Sequence, residues 1–159
     1  MIKCVNFNGI PLSVSVTEGV VVKIAFGRCR KSVQKDAELE SALIAYWNGD
    51  EEAIKYTFED VNVNLKLVYK KVQQIPRGKV ASYGAVSKAV FGTVKYARFV
   101  GQAMHLNPLP IIVPCHRVVK SDGTLGGFGG TVPVKKKLLK VEGVKIKNGK
   151  IPVSYFARL

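Results

Sequence analysis

The chain has 159 residues, of which 47% are hydrophobic and 23% charged, with 25 Lys and Arg against 11 Asp and Glu for a formal net charge of +14. That is enough for one compact core or two small lobes, and it excludes a disordered tail or a collagen-like repeat as the main character of the chain. No apolar run approaches the ~20 residues of a membrane span, and residues 1–16 lack the basic start, apolar centre and small-residue cleavage site of a signal peptide, so a soluble, cytoplasmic protein with no membrane partner is expected.

From residue 11, apolar and polar positions alternate through Leu12, Val14 and Val16, then from Val20 to Phe26, on either side of Glu18-Gly19. This period of two predicts antiparallel strands. Asp36 opens a helical pattern, Leu39, Leu43, Ile44 and Trp47, that Asn48-Gly49 stops. A second helical stretch sets Leu65, Val68, Tyr69, Val72 and Ile75 on one face and lysines on the other, and Ile75-Pro76-Arg77-Gly78 ends it. The boundary between lobes is expected near residues 58–64, giving domains 1–60 and 61–159. The first holds 7 basic and 9 acidic side chains, the second 18 and 2. So lopsided a charge suits a polyanion, although a solvated Lys-rich surface is the bland alternative. Of the two acids, Asp122 sits in the turn sequence Ser121-Asp122-Gly123, whereas nothing local accounts for Glu142.

Residues 82–106 read as two helices. Ser82 caps the first, Val86, Ala89 and Val90 form its apolar face, and Phe91-Gly92-Thr93 breaks it before a second helix from about Val94 to Leu106. This is the helix-turn-helix pattern. On the second helix Lys95, Arg98, Gln102 and His105 form a polar stripe, with Ala97, Gly101 and Met104 beside it. Small residues let a helix approach a surface closely while Arg98 and its neighbours reach phosphates or bases; an ordinary exposed helix face is the alternative.

The segment from Asn107 to Val119 places Pro108, Pro110 and Pro114 around a short apolar run that delivers Cys115, His116 and Arg117. Proline stiffens that delivery, and an imidazole in a positive field can lower a thiol pKa and make a nucleophile of it. Adjacent residues of an extended segment point to opposite faces, so a water is expected between Cys115 and His116. A buried core thiol is the alternative. Cys4, Cys29 and Cys115 are odd in number and show no CxxC spacing, which argues against a disulfide scaffold and a zinc ribbon and leaves at least one thiol free.

The string Ile112-Val113-Pro114-Cys115-His116-Arg117-Val118-Val119 resembles the O6-alkylguanine-DNA alkyltransferases, the methylated-DNA-protein-cysteine methyltransferases. Supporting matches are residues 75–80, 82–84, 97–104, 107–110 and 138–144, so the resemblance covers Leu65 to Val144. It implies an α/β (α+β) protein with a small ribonuclease-H-like amino-terminal lobe and a winged-helix-like carboxy-terminal DNA-binding and active-site domain. The implied activity is single-turnover repair: the alkyl group of O6-alkylguanine, or of O4-alkylthymine, in double-stranded DNA passes to Cys115 after base flipping. His116 would take the thiol proton, Glu142 would orient the imidazole, Tyr83 would protonate the leaving guanine and Asn107 would tie the recognition helix to the active-site segment. Arg98 would fill the emptied stack, and Pro110, Val118, Phe128 and Gly129 would line the pocket.

Phe128 and Gly129 depart from the tyrosine and serine found in other members, which bears on pocket shape. No cofactor and no metal are implied by this chain's own residues; Cys4 and Cys29 are left as a strand-to-strand pair, free or oxidised. A chromosome-associated monomer is expected, with cooperativity on DNA left open. The alternative from another class is a winged-helix regulator with Cys115 as redox sensor.

Overall fold

The computed structural model describes residues 1–27, 29, 33, 35–126 and 132–159. The chain forms two compact units, Met1–Val61 with Pro108–Ile112, and Asn62–Asn107 with Val113–Leu159.

In the first unit β1 (Ile2–Phe7), β2 (Ile10–Thr17) and β3 (Val20–Phe26) form an antiparallel sheet in that order. The β2–β3 turn has Glu18 at φ +50° and Gly19 at φ +79°, the mirror-image turn geometry that matches strand twist. The alternation in β2 buries Leu12 and Val14 as expected, whereas β1 is not evident from period-two patterning because the adjacent Cys4 and Val5 are both buried. Helix α1 (Ala37–Trp47) starts at Asp36, whose side chain accepts from Leu39 N–H at 2.9 Å and pairs with Lys3 Nζ at 2.5 Å. The Lys3 bond, followed by the Leu39 N–H, holds the Asp36 carboxyl below its ordinary range. Trp47 meets the fully buried Phe7 edge-to-face, with ring centroids 5.4 Å apart. The returning segment joins this unit through Ile24 N–H, which donates to Pro108 O at 2.8 Å. Cys4 and Cys29 are joined by a disulfide across a separation of 25 residues, which the cysteine count alone did not favour.

The second unit begins with α2 (Val63–Val72), capped by Asn62. It ends three residues before the apolar pattern does, and Ile75 is buried from the turn that follows. Short strands β4 (Ala81–Ser82) and β5 (Val118–Val119) pair in parallel, tying the start of α3 (Tyr83–Phe91) to the Cys115 segment. Ser82 caps α3 as expected, accepting from Ala85 N–H at 3.0 Å. The following helix α4 (Ala97–His105) starts later than the sequence suggests, because Val94–Tyr96 forms a 3-10 turn first. The fully buried Ser87 hydroxyl holds that turn, donating to Thr93 O at 2.6 Å and accepting from Tyr96 N–H at 3.0 Å. Helix α5 (Val132–Val141) packs Leu139 with Val80, Val119, Leu125, Val144 and Ile151. No helix among the described residues is long and apolar enough to cross a membrane.

Closing a loop of 25 residues removes denatured-state entropy worth about 3 kcal/mol. Replacing both Cys4 and Cys29 by Ser should therefore lower stability in denaturant unfolding by about that amount, with no further loss on adding reductant. Equal unfolding midpoints for parent and variant would contradict the assignment.

Candidate active site

The backbone that delivers Cys115 is constrained before it arrives. Ile111 has φ +76°, a left-handed conformation that costs a β-branched residue about 1–3 kcal/mol. Cys115 N–H then donates to Val113 O at 2.7 Å and Arg117 N–H to Pro114 O at 2.9 Å. Cys115–Arg117 is therefore a 3-10 turn, not the extended segment that the prolines suggested. Tight turning after Pro114 sends His116 and Arg117 inward, where both are buried, while Cys115 stays partly exposed.

Burial pushes the Cys115 thiol above its ordinary pKa of 9.0, with the Asn107 hydrogen bond to sulfur and the Lys135 charge only partly opposing it. The resting group is a thiol, contrary to the lowered pKa that a neighbouring imidazole suggested. A base must remove its proton for it to react. His116 Nε2 lies 2.6 Å from Glu142 Oε1, and its Nδ1 is buried with no hydrogen-bond partner in the protein. Burial pushes the imidazole below its ordinary pKa of 6.5 against the pull of Glu142. A carboxylate can only accept, so the shared hydrogen sits on Nε2 and the Nδ1 lone pair is available for a proton.

Glu142 follows the last residue of α5, and its side chain is fully buried. An acid at a helix carboxy-terminus opposes the helix dipole, so its placement needs compensation. Arg117 supplies it: Nε donates to both Glu142 oxygens at 3.1 and 3.0 Å, and Nη2 to Oε1 at 2.7 Å. Burial alone would raise the Glu142 carboxyl, but the bond to His116 and the Arg117 guanidinium outweigh it and hold the group far below the usual carboxylate range.

Asn107 Nδ2 donates to Val113 O at 2.9 Å while also bonding the Cys115 sulfur, linking the end of α4 to the active-site turn. Tyr83 opens α3, and burial, then the Cys115 charge, pushes its hydroxyl up to about 12, so it keeps a proton to donate at neutral pH. Gly126, at φ +78°, makes room for that hydroxyl: a Cβ there would lie 2.8 Å from Tyr83 Oη. Val118 is buried in β5, and its carbonyl accepts from Lys135 Nζ at 2.5 Å, keeping a second lone pair. Pro110 is buried in the first unit, and Phe128 and Gly129 lie outside the described residues.

Lys135 is a site residue that the sequence reading passed over. Its ammonium donates to Val118 O and, at 2.7 Å, to Leu125 O, and lies 3.5 Å from Tyr83 Oη. Burial pulls its pKa down to about 8 against the Cys115 charge. Helical spacing could have found it, since positions 135, 138, 139 and 142 share one face with Leu138, Leu139 and Glu142. Arg117 had no such signal, because its partners Ile75 and Glu142 are 42 and 25 residues away.

The polar stripe is exposed. Lys95 projects from the 3-10 turn, and Arg98, Gln102 and His105 from α4, while Ala97 and Gly101 are partly covered and Met104 is buried in the core. Such a face can meet phosphates without desolvating a core. No group of three or more His, Cys, Asp or Glu among the described residues is arranged to hold a metal.

Two glycines with nearly equal φ separate backbone strain from the Tyr83 contact. Gly92→Ala meets nothing within 4 Å at φ +76° and should cost about 1 kcal/mol, whereas Gly126→Ala must also displace Tyr83 and should cost about 1–3 kcal/mol more in denaturant unfolding. Equal losses would show that the hydroxyl moves freely.

Residues 65–144 match the family described as 6-O-methylguanine DNA methyltransferase, DNA binding domain. The methylated-DNA–protein-cysteine methyltransferase of Pyrobaculum aerophilum is 58% identical over 69 residues, 43% of this chain and 45% of that protein, so the chain spans about half the length of this relative. That of Metallosphaera sedula is 32% identical over 86% of this chain and 89% of its own length. The crystal structure of Mycobacterium tuberculosis OGT in complex with DNA is 28% identical with a TM-score of 0.71, covering 89% of this chain and 92% of that one. A family match over half the sequence and a relative aligned along nearly all of it agree with the Cys115 turn: the chain belongs to the 6-O-methylguanine DNA methyltransferase family.

Proposed function

We propose that the protein repairs DNA by moving the alkyl group of O6-alkylguanine, and of O4-alkylthymine, onto its own Cys115. The observation that carries this is the Cys115–Arg117 turn, in which the half-buried Cys115 is followed by a buried imidazole with one nitrogen on Glu142 and the other open. His116 Nδ1 takes the thiol proton through a water. Sulfur attacks the alkyl carbon as the bond from that carbon to O6 breaks. The guanine anion takes a proton from Tyr83, which is resupplied from the imidazolium, so the thiol hydrogen ends on guanine. A thioether is a poor leaving group, and each molecule reacts once.

Residues 61–159 act as the DNA-binding and transfer domain, with 1–60 as its companion. Lys95, Gln102 and His105 hold phosphates, Ala97 and Gly101 permit close approach, and Arg98 fills the stack that the flipped base leaves. Asn107 keeps helix and nucleophile in register, and the Cys115 and Val118 carbonyls accept from the guanine amine. The partner is double-stranded DNA bound by a monomer in the cytoplasm. The names of the relatives, and the DNA held by the Mycobacterium tuberculosis structure, support this reading.

Incubation with duplex DNA containing O6-methylguanine, followed by peptide mass spectrometry, should find one methyl on the Cys115 peptide and product levelling at one equivalent of protein. Cys115→Ala should bind the same DNA without reacting. Product exceeding protein severalfold, or an unmodified Cys115 peptide after loss of the lesion, would refute the transfer.

The pH dependence follows from His116. Because its pKa is lowered in the folded protein, the neutral base persists to lower pH, and the transfer rate should hold level as pH falls through 6.5 and decline only below it. A rate already halved at pH 6.5 or above would show that His116 is charged at rest.

A further inference from the structure

Glu142 has two cationic or potentially cationic partners and one carboxylate to share between them. His116 Nε2 and Arg117 Nη2 both reach Oε1, at 2.6 and 2.7 Å, while Arg117 Nε bridges the two oxygens. The guanidinium is itself fixed from behind, since Nη1 donates to Ile75 O at 2.8 Å. Gly78 N–H approaches Oε2 at 3.4 Å. All three side chains are buried.

We propose that Arg117 is a positioning residue of this site, a fixed cation that holds the Glu142 carboxylate and keeps His116 a neutral base in the resting protein. The inference rests on the alkyl-transfer reading above for its use but not for its test. A buried carboxylate with imidazole as its one partner would draw a proton onto the ring, and an imidazolium cannot accept another from Cys115. Arg117 already neutralises that carboxylate and adds its own positive charge close to the ring. Both effects act in one direction. Among the described residues, Cys115 adjoins His116 in sequence, and the Lys135 charge also disfavours the imidazolium. Arg rather than Lys suits the position because a planar fork spans both carboxylate oxygens while a third nitrogen stays free for Ile75. Glu142 is thereby left to orient the ring through Nε2 without charging it.

The test reads the imidazole directly, by nitrogen NMR of His116 in the full chain. In the parent at pH 7, Nε2 should be protonated and Nδ1 not; a doubly protonated ring would overturn the proposal. Arg117→Gln should raise the His116 pKa by about 1–3 pH units and carry the acid limb of the transfer rate upward with it. Arg117→Lys, which keeps the charge but not the fork, should restore the titration close to the parent's while transferring more slowly. A folded Arg117→Gln with an unmoved His116 titration would reduce Arg117 to a packing role. Should that variant not fold, the parent spectrum and Arg117→Lys still decide. Failure of the parent to accept methyl from DNA would refute the proposed function and leave these titrations standing.

Discussion

One buried carboxylate organises the second unit. Withdrawing Glu142 from water costs several kcal/mol, and leaving it unpaired at the negative end of α5 would cost more. Meeting that demand draws together three stretches distant in sequence: the Ile75–Gly78 turn after α2, the Cys115–Arg117 turn before β5, and the end of α5. The acceptors are nearly all occupied, and the open position in the cluster is His116 Nδ1. An arrangement that satisfies a structural need thus leaves one proton-accepting site, on the residue next to the thiol.

The same burial that makes the cluster rigid works against the nucleophile. Water-depleted surroundings disfavour a thiolate, and Asn107 and Lys135 recover only part of the loss. Lys135 meets the same penalty, since burial lowers its pKa to about 8, and its ammonium donates to the carbonyls of Val118 and Leu125. The site therefore holds its charges as potential ones: a thiol, a neutral imidazole and a phenol, beside a cation placed where negative charge would form. In the proposed reaction, charge separates only when substrate fills the site, and fixed dipoles are already oriented for it.

How much of this was legible depended on whether the cause was local. The β2–β3 hairpin, α1 and its Asp36 cap, α3 and its Ser82 cap all follow from neighbours within a few residues, and the sequence reading found each. Cys115, His116 and Glu142 were singled out by motif and charge pattern, and the structure brings His116 and Glu142 into hydrogen-bond contact. Helix α4 started later than expected because the Ser87 hydroxyl, nine residues from Tyr96, stabilises a 3-10 turn that propensity does not encode. Arg117 read as part of a positive field, yet its guanidinium is spent inside on Glu142. Lys135 was only one of the basic residues counted after residue 60. Both follow from one cause: basic residues were counted as a field, and the count does not say which of them fold inward to hold a carboxylate or a carbonyl.

That distinction divides the positive charge of residues 61–159 into two kinds of work. Lys95 and Arg98 face water, where attraction to a polyanion is long-ranged, unspecific and screened by salt. Arg117 and Lys135 are buried, where screening is slight and geometry decides the effect. In the proposed function the exposed set would govern the encounter with DNA, and the buried set the protonation states of the site. Because the two sets lie in one compact unit but share no hydrogen bond among those described, the proposed function predicts that affinity and reactivity respond to different substitutions.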